Sequence, residues 1–521
     1  VLDAGQLIAL SPTATKAFDQ GQLESIATAV FSSLKVEQLS KEQIPYISVG
    51  QIAVMSTTQT QALSTGHVSE LTDPQIANIT SANLKLLSQT QVAAFTDDQI
   101  AHISPTTMAL FADAQAAFFT PAQAPYLSEG AIGAMTTGHI PLIDVDVLNA
   151  MNSGQIAAIE DTDFALLDPT TQIALLDEDA TKAITNTQIA AMSVEQTQAL
   201  TLTQMGWLSG DQINNITDAN FVLLDPVTQI KGIDPTELAN VLPAKILLLT
   251  DDAIASGDSV DGQIAQLTPT QAKNISYLAI MGLTDDQIKA FTPESLSQMT
   301  ETQIQSIGTT TIPSLLDTQL QGLDPTRVAY FSPGQITALT DNQFKLFVAD
   351  QQKALTDVQI ANLSDNQVAD LFVGTLNAMD QGEIQAITES GMKVLSTAAD
   401  SQIKLLDPGQ VALFTQYQIA ALLPGQIEVL SDAQVEQFTN AQIGSLSAAQ
   451  INKLSQGGID KLVVAGEDQM AGFNANEISG IDPSQLAKFS DVQLGLLSNA
   501  AKAEITDLQK VALSADQLVA I

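Results

Sequence analysis

The chain has 521 residues, no cysteine, and 58 acidic against 19 basic side chains, which give a net charge of −39. The excess of acid disfavours binding to nucleic-acid phosphates or anionic membranes, and the lack of cysteine excludes disulfides and thiolate metal sites. No run of about 18 apolar residues occurs, so the sequence predicts no membrane insertion.

An eight-residue pattern begins at Leu2, is disturbed near residues 26–39, and then runs in strict eights from Leu39 to Leu167. Each unit, or octad, has Leu at position 1, Ser, Thr or Asp at position 2, Gln at position 5 and Ile or Val at position 6. Longer units lie near residues 167–176, 224–233, 257–267, 395–406 and 462–473. Because the repeat covers the chain, we predict one continuous octad-repeat solenoid over residues 1–521.

The pattern is already running at the first residues and is still running at Ile521. Neither terminal unit resembles the polar cap that a solenoid needs. We therefore expect a processed product, an excerpt of something longer, or ends that pack against neighbouring copies.

Each octad carries a signal for the start of a helix. The residue at position 2 is a good N-cap, and Gln at position 5 completes a capping box with it. The apolar residues at positions 1 and 6 are placed for a hydrophobic staple across the cap. Most of the 19 prolines directly follow the cap, as Pro169, Pro333 and Pro424 do, where a helix loses nothing by a missing N–H group.

The eight-residue period excludes a continuous helix, because each unit would leave about 80° of angular drift. A strand is also excluded, since positions 1 and 6 would fall on opposite faces. Prolines at position 7, namely Pro45, Pro125, Pro141 and Pro313, indicate very short helices that are partly 3₁₀. We predict an all-α solenoid of very short capped helices, one per octad, with positions 1 and 6 inside. Whether two, three or four octads make one turn stays open.

The three histidines show no metal-binding or catalytic spacing. His67 and His139 replace the glutamine of position 5 and are interpreted as capping variants, whereas His102 at position 8 is expected to be exposed. Adjacent acids such as Asp97 and Asp98 fit the first turn of a helix, where they favour the helix dipole. The sequence contains no nucleophile-and-base arrangement, so we predict that the protein is not an enzyme and has no organic cofactor.

Calcium is the inorganic partner that the sequence suggests. Acidic residues surround the ten-residue unit, and the candidate ligands there are Asp251, Asp252, Asp258 and Asp261. Asp144 and Asp146 flank another unit. Oxygen-rich irregular loops can hold Ca²⁺, although no EF-hand loop is present.

The only tryptophan is Trp207, at position 8 of its octad. We expect it to be a partly exposed packing residue beside Leu208. Aromatic residues make up 4% of the chain, which is few for a surface built around binding hot spots.

The repeat L-[ST]-x-x-Q-[IV]-x-x, in an acidic, cysteine-free and arginine-poor chain, resembles the long repetitive segments of large secreted or surface-attached bacterial proteins. These are proteins of the adhesin, surface-layer or filament type. The resemblance implies an extracellular or cell-surface structural role in a bacterium and transfers no site residues.

Two functions fit these observations. Uniform units suit a stalk, filament subunit or surface-layer element that associates with copies of itself. The alternative is a binding scaffold that uses one face of the solenoid for a protein or glycan partner. Ice binding through threonine rows is disfavoured, because position 2 mixes Ser, Thr and Asp.

Overall fold

The computed structural model describes residues 2–251, 262–398, 402–462 and 469–521. In these ranges the chain consists of α-helices of four to six residues and a few 3₁₀-helices, and it contains no strand. The predicted all-α solenoid of very short helices is therefore confirmed. The chain divides into two compact units, Val1–Ala279 and Ile280–Ile521. None of the described helices combines the length and apolar character that crossing a bilayer requires.

The helices of the first unit follow one another at intervals of about one octad. Its α-helices are Ala4–Ala9, Pro12–Lys16, Gln20–Glu24, Thr28–Phe31, Val49–Ile52, Thr57–Ala62, Thr65–Val68, Asp73–Ala77, Ser81–Leu84, Gln89–Val92, Asp97–Ala101, Pro105–Met108, Glu129–Ile132, Val145–Asn149, Ser153–Ala157, Asp161–Phe164, Glu178–Ala183, Asn186–Ala191, Val194–Ala199, Leu202–Trp207, Gly210–Asn215, Asp218–Phe221, Pro235–Leu238, Pro243–Ile246 and Pro269–Asn274. Its 3₁₀-helices are Val36–Gln38, Lys41–Tyr46, Asp113–Phe118, Ala124–Tyr126, Ile140–Leu142, Ile173–Leu175 and Ile230–Gly232.

The second unit repeats this plan. Helix Tyr277–Gly282 lies at the division, and the α-helices that follow are Asp285–Ala290, Pro293–Gln298, Glu301–Ser306, Asp317–Gln321, Pro325–Val328, Pro333–Ala338, Asp341–Phe344, Ala349–Lys353, Asp357–Ile360, Asp365–Ala369, Val373–Leu376, Gln381–Ala386, Glu389–Val394, Gln402–Leu405, Pro408–Leu413, Gln416–Ala421, Pro424–Glu428, Asp432–Glu436, Asn440–Ser445, Ala448–Ile451, Gln456–Asp460, Ala475–Ile478, Pro483–Leu486, Asp491–Leu496, Asn499–Ala503, Asp507–Ala512 and Ala515–Ala520. Its 3₁₀-helices are Ile312–Ser314 and Gln469–Gly472.

The predicted capping boxes start about half of these helices. At helix Asn440–Ser445, the backbone N–H of Gln442 donates to Thr439 Oγ1 at 3.3 Å, and that of Thr439 donates to Gln442 Oε1 at 2.7 Å. Thr439 and the C-cap residue Leu446 both have extended backbones. An extended residue at each end thus turns the chain into and out of this helix, and each cap contributes about 1 kcal/mol.

Proline marks two different places in the units. Pro333 and Pro424 begin α-helices as predicted, whereas Pro169 begins a turn in the nine-residue unit. The position-7 prolines all lie in 3₁₀-helices, as their missing N–H groups predict. These are Pro45 in Lys41–Tyr46, Pro125 in Ala124–Tyr126, Pro141 in Ile140–Leu142 and Pro313 in Ile312–Ser314.

In each unit the core is built from residues of positions 1 and 6. Phe438 and Val435 are each 1% exposed, and Ile443 is fully buried. Burying one such side chain contributes about 1.5–3 kcal/mol, which cannot order an octad alone, so neighbouring turns must stack to stabilise one another.

Helices pack on the third helix along the chain. Helix Gln416–Ala421 contacts Asn440–Ser445, which in turn contacts Gln469–Gly472. Gln442 Nε2 donates to the carbonyl of Phe414, 28 residues earlier, at 2.7 Å. Since 28 residues are three and a half octads, the start of helix Asn440–Ser445 lies beside the junction that precedes helix Gln416–Ala421.

The nine-residue units accommodate one extra residue without breaking this stacking. The N–H groups of Thr170 and Thr171 donate to Asp168 Oδ1, and with their hydroxyls they lower the pKa of that carboxyl group to about 2. Gln172, one residue later than in an octad, still accepts from the Asp168 N–H at 2.7 Å and donates to the Ile143 carbonyl at 2.7 Å. The extra residue is thus absorbed in the turn before the helix.

The units predicted near 257–267, 395–406 and 462–473 lie partly outside the described residues. Hydrogen bonds between described residues still span two of these units. Thr250 N–H donates to Gln263 Oε1 at 3.0 Å, and Ser396 N–H donates to Gln402 Oε1 at 2.9 Å. The cap and its glutamine therefore meet even when a longer segment separates them.

Candidate functional site

The position-5 glutamines hold successive turns together. Gln418 Oε1 accepts from the Thr415 N–H at 2.8 Å, while its Nε2 donates to the carbonyls of Ile384 at 2.7 Å and Ile387 at 2.8 Å. Those carbonyls belong to the end of a helix one turn earlier, where the Ile384 carbonyl has only a long local bond, from the Ile387 N–H at 3.3 Å. One buried side chain thus bonds to three backbone groups, and each bond contributes a net of about 0.5–1.5 kcal/mol.

This arrangement, termed the glutamine ladder, recurs in both units. Its members in the first unit are Gln43, Gln51, Gln59, Gln75, Gln91, Gln99, Gln115, Gln123, Gln155, Gln172, Gln188, Gln196, Gln204, Gln212, Gln229, Gln263 and Gln271. Its members in the second are Gln319, Gln335, Gln343, Gln351, Gln359, Gln367, Gln402, Gln418, Gln426, Gln434, Gln442, Gln450, Gln493, Gln509 and Gln517.

Histidine replaces glutamine at two positions of the ladder, here called rungs, and makes the same hydrogen bonds. The Ser64 N–H donates to His67 Nδ1 at 3.3 Å, and His67 Nε2 lies 3.1 Å from the Leu39 carbonyl, 28 residues earlier. The ring is therefore neutral with its proton on Nε2, because a carbonyl can only accept. His139 bonds in the same way, so the predicted capping role of both histidines is confirmed.

Lys245 stands at a ladder position in place of glutamine and carries a positive charge. Its ammonium donates to the Ile216 carbonyl and to Asp218 Oδ1, both at 2.6 Å, and lies 5.3 Å from the centre of the Phe221 ring. Burial of Lys245 is tolerated because the ammonium is both paired and hydrogen-bonded.

Asp163 occupies a rung where a hydrogen-bond donor belongs. Asn83, at the equivalent place, donates from Nδ2 to the Met55 carbonyl at 2.8 Å, 28 residues earlier. Asp163 is 5% exposed, and its Oδ1 has no partner among the described residues. Burial, followed by the nearby Glu160 carboxylate, raises the pKa of the Asp163 carboxyl group.

We expect the substitution Asp163→Asn to stabilise the first unit by about 1–3 kcal/mol at neutral pH, because the amide supplies the missing donor. Ionised Asp163 destabilises the fold above its raised pKa, and this penalty is absent below the ordinary value of 3.8. The advantage of the variant should therefore shrink as the pH falls.

Thermal unfolding at neutral pH and at about pH 3, with hydrogen exchange of helix Asp161–Phe164, measures this advantage. Asp161→Asn is the matched control, since Asp161 is exposed on the same helix. Equal stabilisation by both variants, or a gain independent of pH, would contradict the assignment.

The predicted calcium ligands lie mostly beyond the described residues. Asp251 is described, whereas Asp252, Asp258 and Asp261 fall outside the described ranges. Asp144 is the N-cap of helix Val145–Asn149, where its carboxylate accepts from the Asp146 N–H at 2.9 Å.

An acidic pair surrounds the exposed His102. Its Nδ1 donates to the Asp98 carbonyl at 2.8 Å and lies 3.3 Å from Asp73 Oδ2. The carbonyl bond, and then the Asp73 charge, raise the pKa of His102. Asp73, Asp98 and His102 form a group of possible metal ligands, because one ligand atom of each lies within 4.8 Å of the others. The geometry is that of an ion-paired surface histidine.

A groove of about 650 Å³ opens on the first unit where three successive turns meet. Trp207, half-buried at the end of helix Leu202–Trp207, forms part of its wall. The polar lining comprises Lys182, Thr185 and Asn186 from the first turn, Ser209, Asp211 and Gln212 from the second, and Asp234, Thr236 and Glu237 from the third.

Two close contacts border the Trp207 segment. A Cβ atom on Gly232 would lie 2.3 Å from the Leu202 carbonyl oxygen, so only glycine fits where these turns approach. On the other side of Trp207 in the sequence, Gly210 N–H donates to Glu237 Oε2 at 2.7 Å.

The ladder continues beside the groove. Gln212 Nε2 donates to the Ile184 carbonyl at 2.8 Å and also lies 3.4 Å from the Thr181 carbonyl and 3.3 Å from that of Lys182. A second groove of about 560 Å³, lined by residues 149–153 and by Asp179, Lys182 and Ala183, shares Lys182 with the first.

No family model matches the chain, and no curated protein matches it. Among solved structures, the chain is similar to APUM23 with GGAUUUGACGG at 12% identity, covering 80% of this chain and 86% of that one with a TM-score of 0.16. It is likewise similar to APUM23 with GGAGUUGACGG at 12% identity, covering 81% and 86% with a TM-score of 0.16. At such scores the chains do not superpose as wholes, and no function is taken from the likeness.

Proposed function

We propose that the protein is a structural repeat protein, a stalk, filament subunit or surface-layer element, whose work is mechanical. The observation that carries this proposal is the repetition of one buried contact along both units. Each ladder glutamine joins a cap to two carbonyls of the turn before, as Gln335 does to Ile304 and Ile307 at 2.8 and 2.7 Å. Tilting one turn against the next breaks such bonds, so a stack of turns resists bending.

Its place in the cell is part of the same proposal. The resemblance of the octads to repetitive segments of secreted bacterial proteins supports an extracellular or cell-surface location. The net charge of −39 favours a well-solvated surface and supports the absence of nucleic-acid binding in this proposal. Immunogold labelling of the source cells should place the protein outside the cytoplasmic membrane, and purely cytoplasmic label would contradict it.

Self-association is the testable core of the structural role. We expect electron microscopy and light scattering to show filaments or ordered arrays of many chains as protein concentration and ionic strength rise. Salt should promote assembly, because it screens repulsion between chains that each carry −39. A single-chain species at every concentration and ionic strength would overturn this function.

A further inference from the structure

The position of Trp207 is unusual within its own repeat. It is the only tryptophan in 521 residues, and the octads before and after it carry Ala199 and Asn215 at the same position. It stands half-buried in the wall of the 650 Å³ groove, which three successive turns form. A half-buried indole offers a flat apolar face beside water, which is the surface on which the C–H face of a sugar ring stacks.

Ionised acceptors line the same groove. The Thr236 N–H and hydroxyl donate to Asp234 Oδ1 at 2.7 and 2.6 Å, and these two bonds lower the pKa of the Asp234 carboxyl group. Glu237 Oε2 accepts from Gly210. Within the described residues, Glu237 Oε1 has no protein hydrogen bond, because Gly210 and Asn240 both donate to Oε2. A carboxylate offers about four acceptor sites, so both groups can still accept from hydroxyl groups, which form strong bonds with carboxylates.

The charges disfavour an anionic ligand. Three carboxylates, those of Asp211, Asp234 and Glu237, line the first groove. The Lys182 ammonium, which lies where the two grooves meet, is already paired with Glu178 Oε1 at 2.5 Å, so it offers little charge to a ligand. The groove combines acceptors with the apolar face of Trp207, which suits a neutral polyhydroxyl ligand. We propose that the groove around Trp207 binds an extended neutral oligosaccharide, with the indole stacked on one sugar ring and Asp234, Glu237 and Asn186 bonded to its hydroxyl groups. This inference does not depend on self-association.

Because Trp207 is the only tryptophan, its fluorescence reports on this groove alone. The test is titration of the full chain with neutral hexasaccharides, namely cello-, chito-, malto-, xylo- and mannohexaose. We expect at least one to give a saturable change of emission. Trp207→Ala, followed by calorimetry and checked for folding by circular dichroism, should abolish binding of that sugar. Asn186→Ala, at an exposed position, should weaken it about tenfold.

Asp234→Asn has a matched control in Asp324→Asn. Asp324 caps Thr326 in the second unit with the same bonds, at 2.8 and 2.6 Å, in the same D-P-T sequence. We expect the first substitution to weaken binding about tenfold and the second to leave it unchanged. Equal weakening by both, no response to any hexasaccharide, or a response to heptalysine alone would overturn the proposal; the last outcome would identify an acidic peptide-binding groove.

Discussion

Replacing Gln319 with methionine is expected to destabilise its turn of the second unit by about 2–6 kcal/mol. Methionine fills the space but leaves two backbone groups without partners. These are the Leu316 N–H, 2.9 Å from Oε1, and the Phe291 carbonyl, 2.8 Å from Nε2. The Ile288 carbonyl, 2.9 Å from Nε2, loses one bond but still accepts from the Phe291 N–H at 3.3 Å. Hydrogen exchange of the Leu316 amide should accelerate at least a hundredfold.

The matched control for this substitution lies on the same helix. Gln321 is exposed in helix Asp317–Gln321, so Gln321→Met should leave exchange and thermal unfolding nearly unchanged. If both variants unfold alike, the ladder bonds do not hold the turns together.

The substitution Gly472→Ala is expected to destabilise its part of the second unit by about 3 kcal/mol, the upper end for overpacking. A Cβ atom on Gly472 would lie 2.5 Å from the carbonyl oxygen of Asn440 and 3.1 Å from its carbonyl carbon and Cα. These are backbone atoms of a packed helix, so the two turns must separate to admit a methyl group. Hydrogen exchange of helix Asn440–Ser445 should report this separation.

A second glycine gives a control of opposite sign. Nothing lies within 4 Å of a Cβ atom placed on Gly425, in helix Pro424–Glu428. Gly425→Ala should therefore stabilise that helix by about 0.5–1 kcal/mol, since alanine loses less backbone entropy on folding. A loss of stability at Gly425 equal to that at Gly472 would show that close backbone approach is not the cause.

The local structure of each unit followed from the sequence because its determinants lie within one octad. The cap at Thr439, its partner Gln442 and the staple residues are adjacent in the chain. The size of a turn could not be read in this way, since Gln442 Nε2 bonds to Phe414, 28 residues earlier. The sequence did hold a signal for the ladder. Glutamate completes a capping box as well as glutamine does, so the preference for glutamine indicates a second need, for a donor.

Three glutamates at position 5 support this interpretation. Glu237, Glu383 and Glu477 stand where the ladder glutamine would be, and all three are half-buried, whereas ladder members such as Gln351 are fully buried. A carboxylate facing carbonyl oxygens would be left unpaired and is displaced toward solvent. The shorter Asp163 stays buried, and its Oδ1 has no partner among the described residues. The groove at Trp207 could not be predicted, because it joins residues of three turns whose spacing depends on the ladder.

Within the described residues, the ladder members named above donate to carbonyls that precede them in the chain. Gln434, for example, donates to Ile403 and Leu406, 31 and 28 residues earlier. A ribosome delivers residues in that same order, so each newly made octad meets acceptors already in place. The chain can thus fold turn by turn during synthesis. In the regular units, hydrogen-bond partners are only a few octads apart along the chain.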